Sequence, residues 1–279
     1  MQTGLSLLSI AGNLGFAVGP ALGGILAQTF NYSSVFLLSA AVPAITLVIA
    51  MAYVSGGLLA GPRADKHFRT SAALHWRRDR NLILFLFLTL CGYVAIGYEI
   101  APISVYVQSF LNFSPEEIGY LFATNGAVIV LLQLPLSAFF FRARMLVYPI
   151  IASCGFAALS FVVGGLSTTF AQWELMMVIL TLGEIFLTVP SQTVLTIFSD
   201  VGNRGMFQGY FSAASIGGRS TAALVGLYSF QALSYDPPLG WYAIAVFALI
   251  LAVGFGLLAR PLQRDYTGRQ ELDGAALYA

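Results

Sequence analysis

The stretch GPRADKHFRTSAALHWRRDR, residues 61–80, decides how the chain is read. It holds Arg63, Lys66, Arg69, Arg77, Arg78 and Arg80, and long apolar segments lie on both sides of it. Working outward, short polar breaks divide the sequence into eight apolar segments, near 4–27, 34–55, 82–108, 117–140, 146–166, 173–198, 206–230 and 240–260. The breaks alternate in charge. Arg142 and Arg144, then Arg204, then Arg260, Arg264 and Arg269 fall at every second break. The breaks near 28–34, 109–117, 165–174 and 231–240 carry no Lys or Arg, and their charges are Glu116, Glu117, Glu174 and Asp236. Basic loops stay on the cytoplasmic side of a membrane, so this parity predicts eight crossings with both termini in the cytoplasm. Of the 13 Lys and Arg residues, Arg219 alone breaks the pattern, inside an apolar segment.

Composition agrees with a multi-pass protein in the lipid bilayer. Apolar residues make up 58% and charged residues 9%, against about 25% charged in a soluble domain. The net charge of +1 gives no electrostatic footprint for nucleic acid. Each segment is long enough to cross roughly 30 Å of hydrocarbon. Backbone groups must be satisfied within the membrane, so the fold class is all-α, a polytopic membrane protein. The first charged residue is Arg63, so the first segment lacks the basic start of a signal peptide. Cys91 and Cys154 lie in apolar segments and read as small core residues. The polar tail from 261 to 279 reads as disordered.

Polar residues sort the segments. Those at 34–55, 146–166 and 240–260 are poor in them and suit lipid-facing positions. Others carry stripes at helical spacing: Thr181, Glu184, Thr188 and Ser191; Gln208, Ser212, Ser215 and Arg219; Ser6, Ser9 and Asn13. The 82–108 segment adds Tyr93, Tyr98, Glu99, Ser104 and Tyr106, and the 117–140 segment adds Thr124, Asn125 and Gln133. The stripes fit either a shared wet cavity or hydrogen bonding inside a dry bundle. Glu99, Glu184 and Arg219 are the informative residues, because a charge in the bilayer interior must be paired or hydrated. By helix rise Glu184 and Arg219 sit near mid-depth; Glu99, nearer the outer surface, competes for the arginine. A Glu–Arg pair there serves proton coupling, substrate contact or static packing.

Small residues form ridges. In GNLGFAVGPALGG, residues 12–24, Gly15, Gly19 and Gly23 repeat at every fourth position around Pro20 and beside Gly24. Gly119, Ala123 and Ala127 form a matching ridge, and Gly205, Gly209, Ala213, Gly217 and Thr221 a third. Such ridges let helices approach closely.

Gly15 through Gly24 resembles motif C, the fifth-helix motif of drug-efflux antiporters in the major facilitator superfamily. EEIGYLFATNGAVIVLLQLPL resembles their eighth helix, and LGEIFLTVP with NRGMFQGYF their tenth and eleventh. The resemblance implies twelve helices in two six-helix halves around a midplane site. This chain would hold helices five to twelve: residues 1–60 end the first half, 61–81 form the central cytoplasmic loop, 82–260 form the second half, and 261–279 form a cytoplasmic tail. The four helices before these, with motifs A and B, would belong to a missing N-terminal half. Helix five would pack on helix eight, and helix eleven would lose its neighbour, helix two. SIAGN at 9–13 and SIGGR at 215–219 would be equivalent positions in the two halves, pairing Asn13 with Arg219.

The resemblance implies a plasma-membrane carrier (a bacterial inner membrane protein) that moves small, drug-like or hydrophobic molecules outward in exchange for protons, truncated as it stands. The alternative is a non-transporting fragment or scaffold that pairs with a partner half. The proton and substrate pathway would use Glu184, Arg219, Glu99, Asn125, Asn13, Thr188, Ser215 and Tyr98. No enzymatic activity is expected: His67 and His75 lack metal-ligand spacing, and no His stands in any span to partner Ser191, Ser212 or Ser215. No nucleotide motif appears, so no cofactor is expected.

Overall fold

A computed structural model of the chain describes residues 2–54, 80–142, 147–199, 204–232 and 237–276. Among them every regular element is helical. The helices are α1 (Gln2–Thr29), α2 (Tyr32–Val54), α3 (Arg80–Ile96), α4 (Ala101–Leu111), α5 (Pro115–Arg142), α6 (Val147–Leu166), α7 (Phe170–Phe198), α8 (Arg204–Ala232) and α9 (Pro237–Ala276). The basic segment 61–79 lies outside the described residues.

Among the described residues, six segments are long and apolar enough to cross a membrane: Tyr32–Ala52, Arg80–Leu111, Pro115–Phe140, Val147–Leu166, Phe170–Leu195 and Pro238–Leu262. The other two expected crossings fall on α1 and α8, each long enough to span. In α8 the stripe with Arg219 dilutes the apolar run.

Polar side chains set several boundaries. Ser114 and Glu117 form a reciprocal cap at the start of α5: the Ser114 amide donates to Glu117 Oε2 at 2.8 Å, and the Glu117 amide donates to Ser114 Oγ at 3.2 Å. Asn112 ends α4 in the left-handed region at φ 58°, a conformation Asn tolerates. Asn31 caps α2 through the Ser34 amide at 2.9 Å.

The expected 82–108 helix is interrupted. α3 stops at Ile96, a 3-10 turn covers Gly97–Glu99, and α4 resumes at Ala101. Pro102 stands in the first turn of α4, where its lack of an amide to donate to the carbonyl four residues back costs least. The turn packs on α8. A Cβ on Gly97 would stand 2.7 Å from Arg219 Cα and from Ala222 Cβ, so the two backbones meet at the arginine itself.

α3 packs on α8 and α9, α6 on α7 and α9, and α5 on α7 and α1. The core between these helices is aromatic: Tyr98, Tyr106, Phe161, Trp173, Phe230 and Trp241 are buried together. α2 exposes large apolar residues such as Phe36, Leu37, Ile45 and Val48. In lipid that surface needs no cover, as expected for segment 34–55.

α1 does pack on α5, helix five on helix eight in the numbering of the resemblance, but not through the expected row. Gly24 meets Gly119 backbone to backbone, and a Cβ on Gly119 would stand 2.6 Å from the Pro20 carbonyl oxygen. Among the described residues, a Cβ on Gly15, Gly19 or Gly23 would meet nothing from another helix within 4 Å. Both rows have a spacing of four, and only the Pro20–Gly24 row is turned toward α5. The third ridge behaves alike: Gly205 and Gly209 meet none of the described residues within 4 Å. The tail also differs, since α9 continues to Ala276. Pro261 does not stop it, and Leu262, Gln263, Arg264, Gln270 and Glu271 are all good helix formers.

Gly24→Leu should therefore lower the thermal stability of the purified chain in detergent by about 1–3 kcal/mol, the cost of forcing a side chain into a packed contact. Gly15→Ala should stay within about 0.5 kcal/mol. Equal effects from both, read by tryptophan fluorescence on heating, would contradict the Pro20–Gly24 contact row.

Candidate functional site: a guanidinium between two carboxylates

Four elements bring polar groups to one point in the helical core. The 3-10 turn supplies Glu99, α5 supplies Asn125, α7 supplies Thr181 and Glu184, and α8 supplies Arg219. On α7 the steps of three and four from Thr181 to Glu184 to Thr188 hold these side chains on one helical face. Glu99 reaches the site because the helix is interrupted there.

Arg219 takes both competing acids. Its Nη1 donates to Glu99 Oε1 and its Nη2 to Glu184 Oε1. The fork of the guanidinium suits this double pairing. The Glu99 side chain is 2% exposed, that of Glu184 13% and that of Arg219 27%. The arginine is therefore the least buried of the three. The two carboxyl groups also lie within hydrogen-bond reach of each other.

Asn125, 1% exposed, ties the acids together. Its Nδ2 lies 3.4 Å from Glu99 Oε2, 3.2 Å from Glu184 Oε2 and 2.9 Å from Thr181 Oγ1. One amide nitrogen has two protons for these three oxygens. Thr181 donates its own proton to the Met177 carbonyl at 2.7 Å, so it acts as an acceptor toward Asn125. The Asn125 Oδ1 atom is buried with no hydrogen-bond partner among the described residues.

Below the guanidinium lies Tyr93, with Arg219 Cζ 5.4 Å from the ring centroid. Its hydroxyl pairs with Thr188 Oγ1 at 2.9 Å. Tyr93 is absent from the pathway expected on sequence. Its place in the polar stripe of its segment, one turn and a half before Glu99, is the signal that could find it. Thr181 is similarly visible only as a member of the α7 stripe.

The structure thus brings together Glu184, Arg219, Glu99, Asn125 and Thr188. Tyr98 goes elsewhere: it packs edge-on against Phe161, Phe230 and Trp241 and pairs with Ser229. Ser215 donates to the Ser212 carbonyl at 3.1 Å within α8. Asn13 lies in α1, and its side chain falls outside the described residues. Gly15, Gly19, Pro20, Gly23 and Gly24 belong to helix packing, apart from this cluster. Among the described residues no group of three or more His, Cys, Asp and Glu could hold a metal ion.

Residues 2–197 match the sequence profile described as the Major Facilitator Superfamily. A Bacillus subtilis (strain 168) protein described as the uncharacterized MFS-type transporter YttB is 29% identical over 225 residues, covering 78% of this chain and 54% of that protein. The chain thus spans about half the length of this relative.

Removing one partner of a buried ion pair leaves the other charge uncompensated, at a cost of about 3–5 kcal/mol. Arg219→Ala should destabilise the chain in detergent by the lower end of that range, because the arginine is partly open. Adding Glu99→Gln to that variant should restore part of the loss. Thermal unfolding of the two single variants and the double variant checks this; additive losses would refute the coupling.

Proposed function

This chain belongs to the Major Facilitator Superfamily, and from that premise we propose that it is part of a carrier moving small molecules across a membrane in exchange for protons. The observation that carries the proton half of the reading is charge balance. Two carboxylates in contact surround one guanidinium. With all three ionised the cluster is net −1, and an unbalanced charge in a bundle interior costs several kcal/mol. One proton on either carboxyl removes the excess and turns the contact between the acids into a hydrogen bond. Arg219 is the least buried member, so a ligand or a helix movement that shifts it changes the hold on that proton. The cluster can then exchange a proton for another event at the same place.

Three further parts of the reading rest on sequence. Export of drug-like or hydrophobic compounds is supported by the resemblance of Gly15 through Gly24 to motif C. A plasma membrane location, with both ends of the chain in the cytoplasm, is supported by the alternating basic breaks. Action together with a further half is supported by the length of the relative and by the open space over Gly15, Gly19 and Gly23 among the described residues.

The test uses the natural product that carries this chain, with whatever precedes it, reconstituted in vesicles under an imposed pH gradient with a panel of hydrophobic and cationic compounds. Transport of at least one compound should follow the gradient. Glu184→Gln should abolish the pH-driven component while inserting in the vesicles normally. Undiminished pH-driven transport by Glu184→Gln would remove this carboxylate from the mechanism.

A further inference from the structure

Among the described residues, two buried hydroxyls lack partners. Thr89 on α3 and Ser191 on α7 are both fully buried, and neither Oγ atom has a hydrogen-bond partner there. Buried polar groups are seldom left so, and each such case points to a water or another function. Their positions are not independent. Thr89 precedes Tyr93 by four residues and Ser191 follows Thr188 by three, so each lies one helical turn from a member of the Tyr93–Thr188 pair. The chain crosses in opposite senses in α3 and α7, and Gly92 packs on Leu187. One turn along both helices therefore places Thr89 and Ser191 at the same level.

We propose that Tyr93, Thr188, Thr89 and Ser191 form the route by which a proton passes between the Glu99–Arg219–Glu184 cluster and the end of the bundle that carries Arg80. This rests on the proton-exchange reading above. The spacing suits it. One helical turn is about 5.4 Å, the reach of two hydrogen bonds placed end to end through one water. Glu184 stands one turn from Thr188, and Tyr93 stands one turn from Thr89. Between Tyr93 and Thr188 either oxygen can be the donor, as a relay requires. Each oxygen takes a proton on one side and releases its own on the other. No charge stays on the hydroxyls, and the hydrogen bonds end reversed. One turn further on, the buried Phe85, Val194 and Leu195 form an apolar layer that the proton must still cross to reach that end.

The natural product carrying the chain is reconstituted in vesicles. Protonation of the cluster is followed by the infrared carboxyl absorption that Glu99→Gln and Glu184→Gln remove. A pH jump is imposed on one membrane face at a time. Tyr93→Phe, and separately Thr89→Val with Ser191→Ala, should slow the response by at least about tenfold, in line with the size of positioned proton-transfer effects. The slowing should appear only for the jump on the Arg80 face, with the equilibrium midpoint unchanged. Ser160→Ala, which removes a buried hydroxyl bonded to the Ala157 carbonyl in α6, should respond like the parent. Parent-like rates in both folded variants would overturn the route alone. A parent absorption that ignores pH would overturn the proton reading and the route with it. Tyr93→Phe keeps its ring under Arg219, so it decides the matter if the double variant does not fold.

Discussion

A guanidinium shared by two carboxylates in an apolar bundle is the constraint around which the rest is arranged. Each charge would be costly alone, and together they are tolerable only with close geometry and further hydrogen bonds. That requirement explains why Asn125 and Thr181 are buried polar residues on separate helices. It also explains why the α3–α4 crossing is broken at the depth of Arg219: the turn delivers Glu99, and Gly97 lets its backbone close onto α8. Two of the helices that supply no group to the cluster, α6 and α9, pack on each other and fill their side of the bundle with Phe161, Trp241 and Phe255.

Stability and function pull on this arrangement in different directions. A dry core of the same volume would hold the helices at least as well as an ion cluster. Retaining two acids against one base leaves the cluster at net −1 when all three groups are ionised. The surrounding aromatic core is apolar by contrast, with large side chains such as Trp173, Trp241 and Phe85 fully buried.

Much of this is legible in the residues. Ionisable groups in apolar segments stand out, so the sequence alone points to Glu99, Glu184 and Arg219. Spacing alone does not choose among rows. α1 carries one row through Gly15, Gly19 and Gly23 and another through Pro20 and Gly24, and only packing decides which one meets α5. The break at Gly97–Glu99 is hidden because three residues are too short a polar run to mark a loop, so 82–108 reads as one continuous crossing. Tyr98 looks like a site residue through its neighbour Glu99, yet adjacent residues of a helix diverge by about 100°. One faces the cluster and the other the aromatic core. The polar tail reads as disorder when composition is weighed above helix propensity, and propensity is what prevails there.

The close approach of Gly97 to Arg219 and Ala222 has a mechanical consequence. Acid and base are fastened to stretches of backbone that touch, so a tilt of α8 drags the Glu99 turn along with it. Glu184 is anchored on another helix and has no such tether. Any rocking of α8 thus stretches one leg of the fork while sparing the other, and the cluster registers helix motion as a lopsided pull on its two acids.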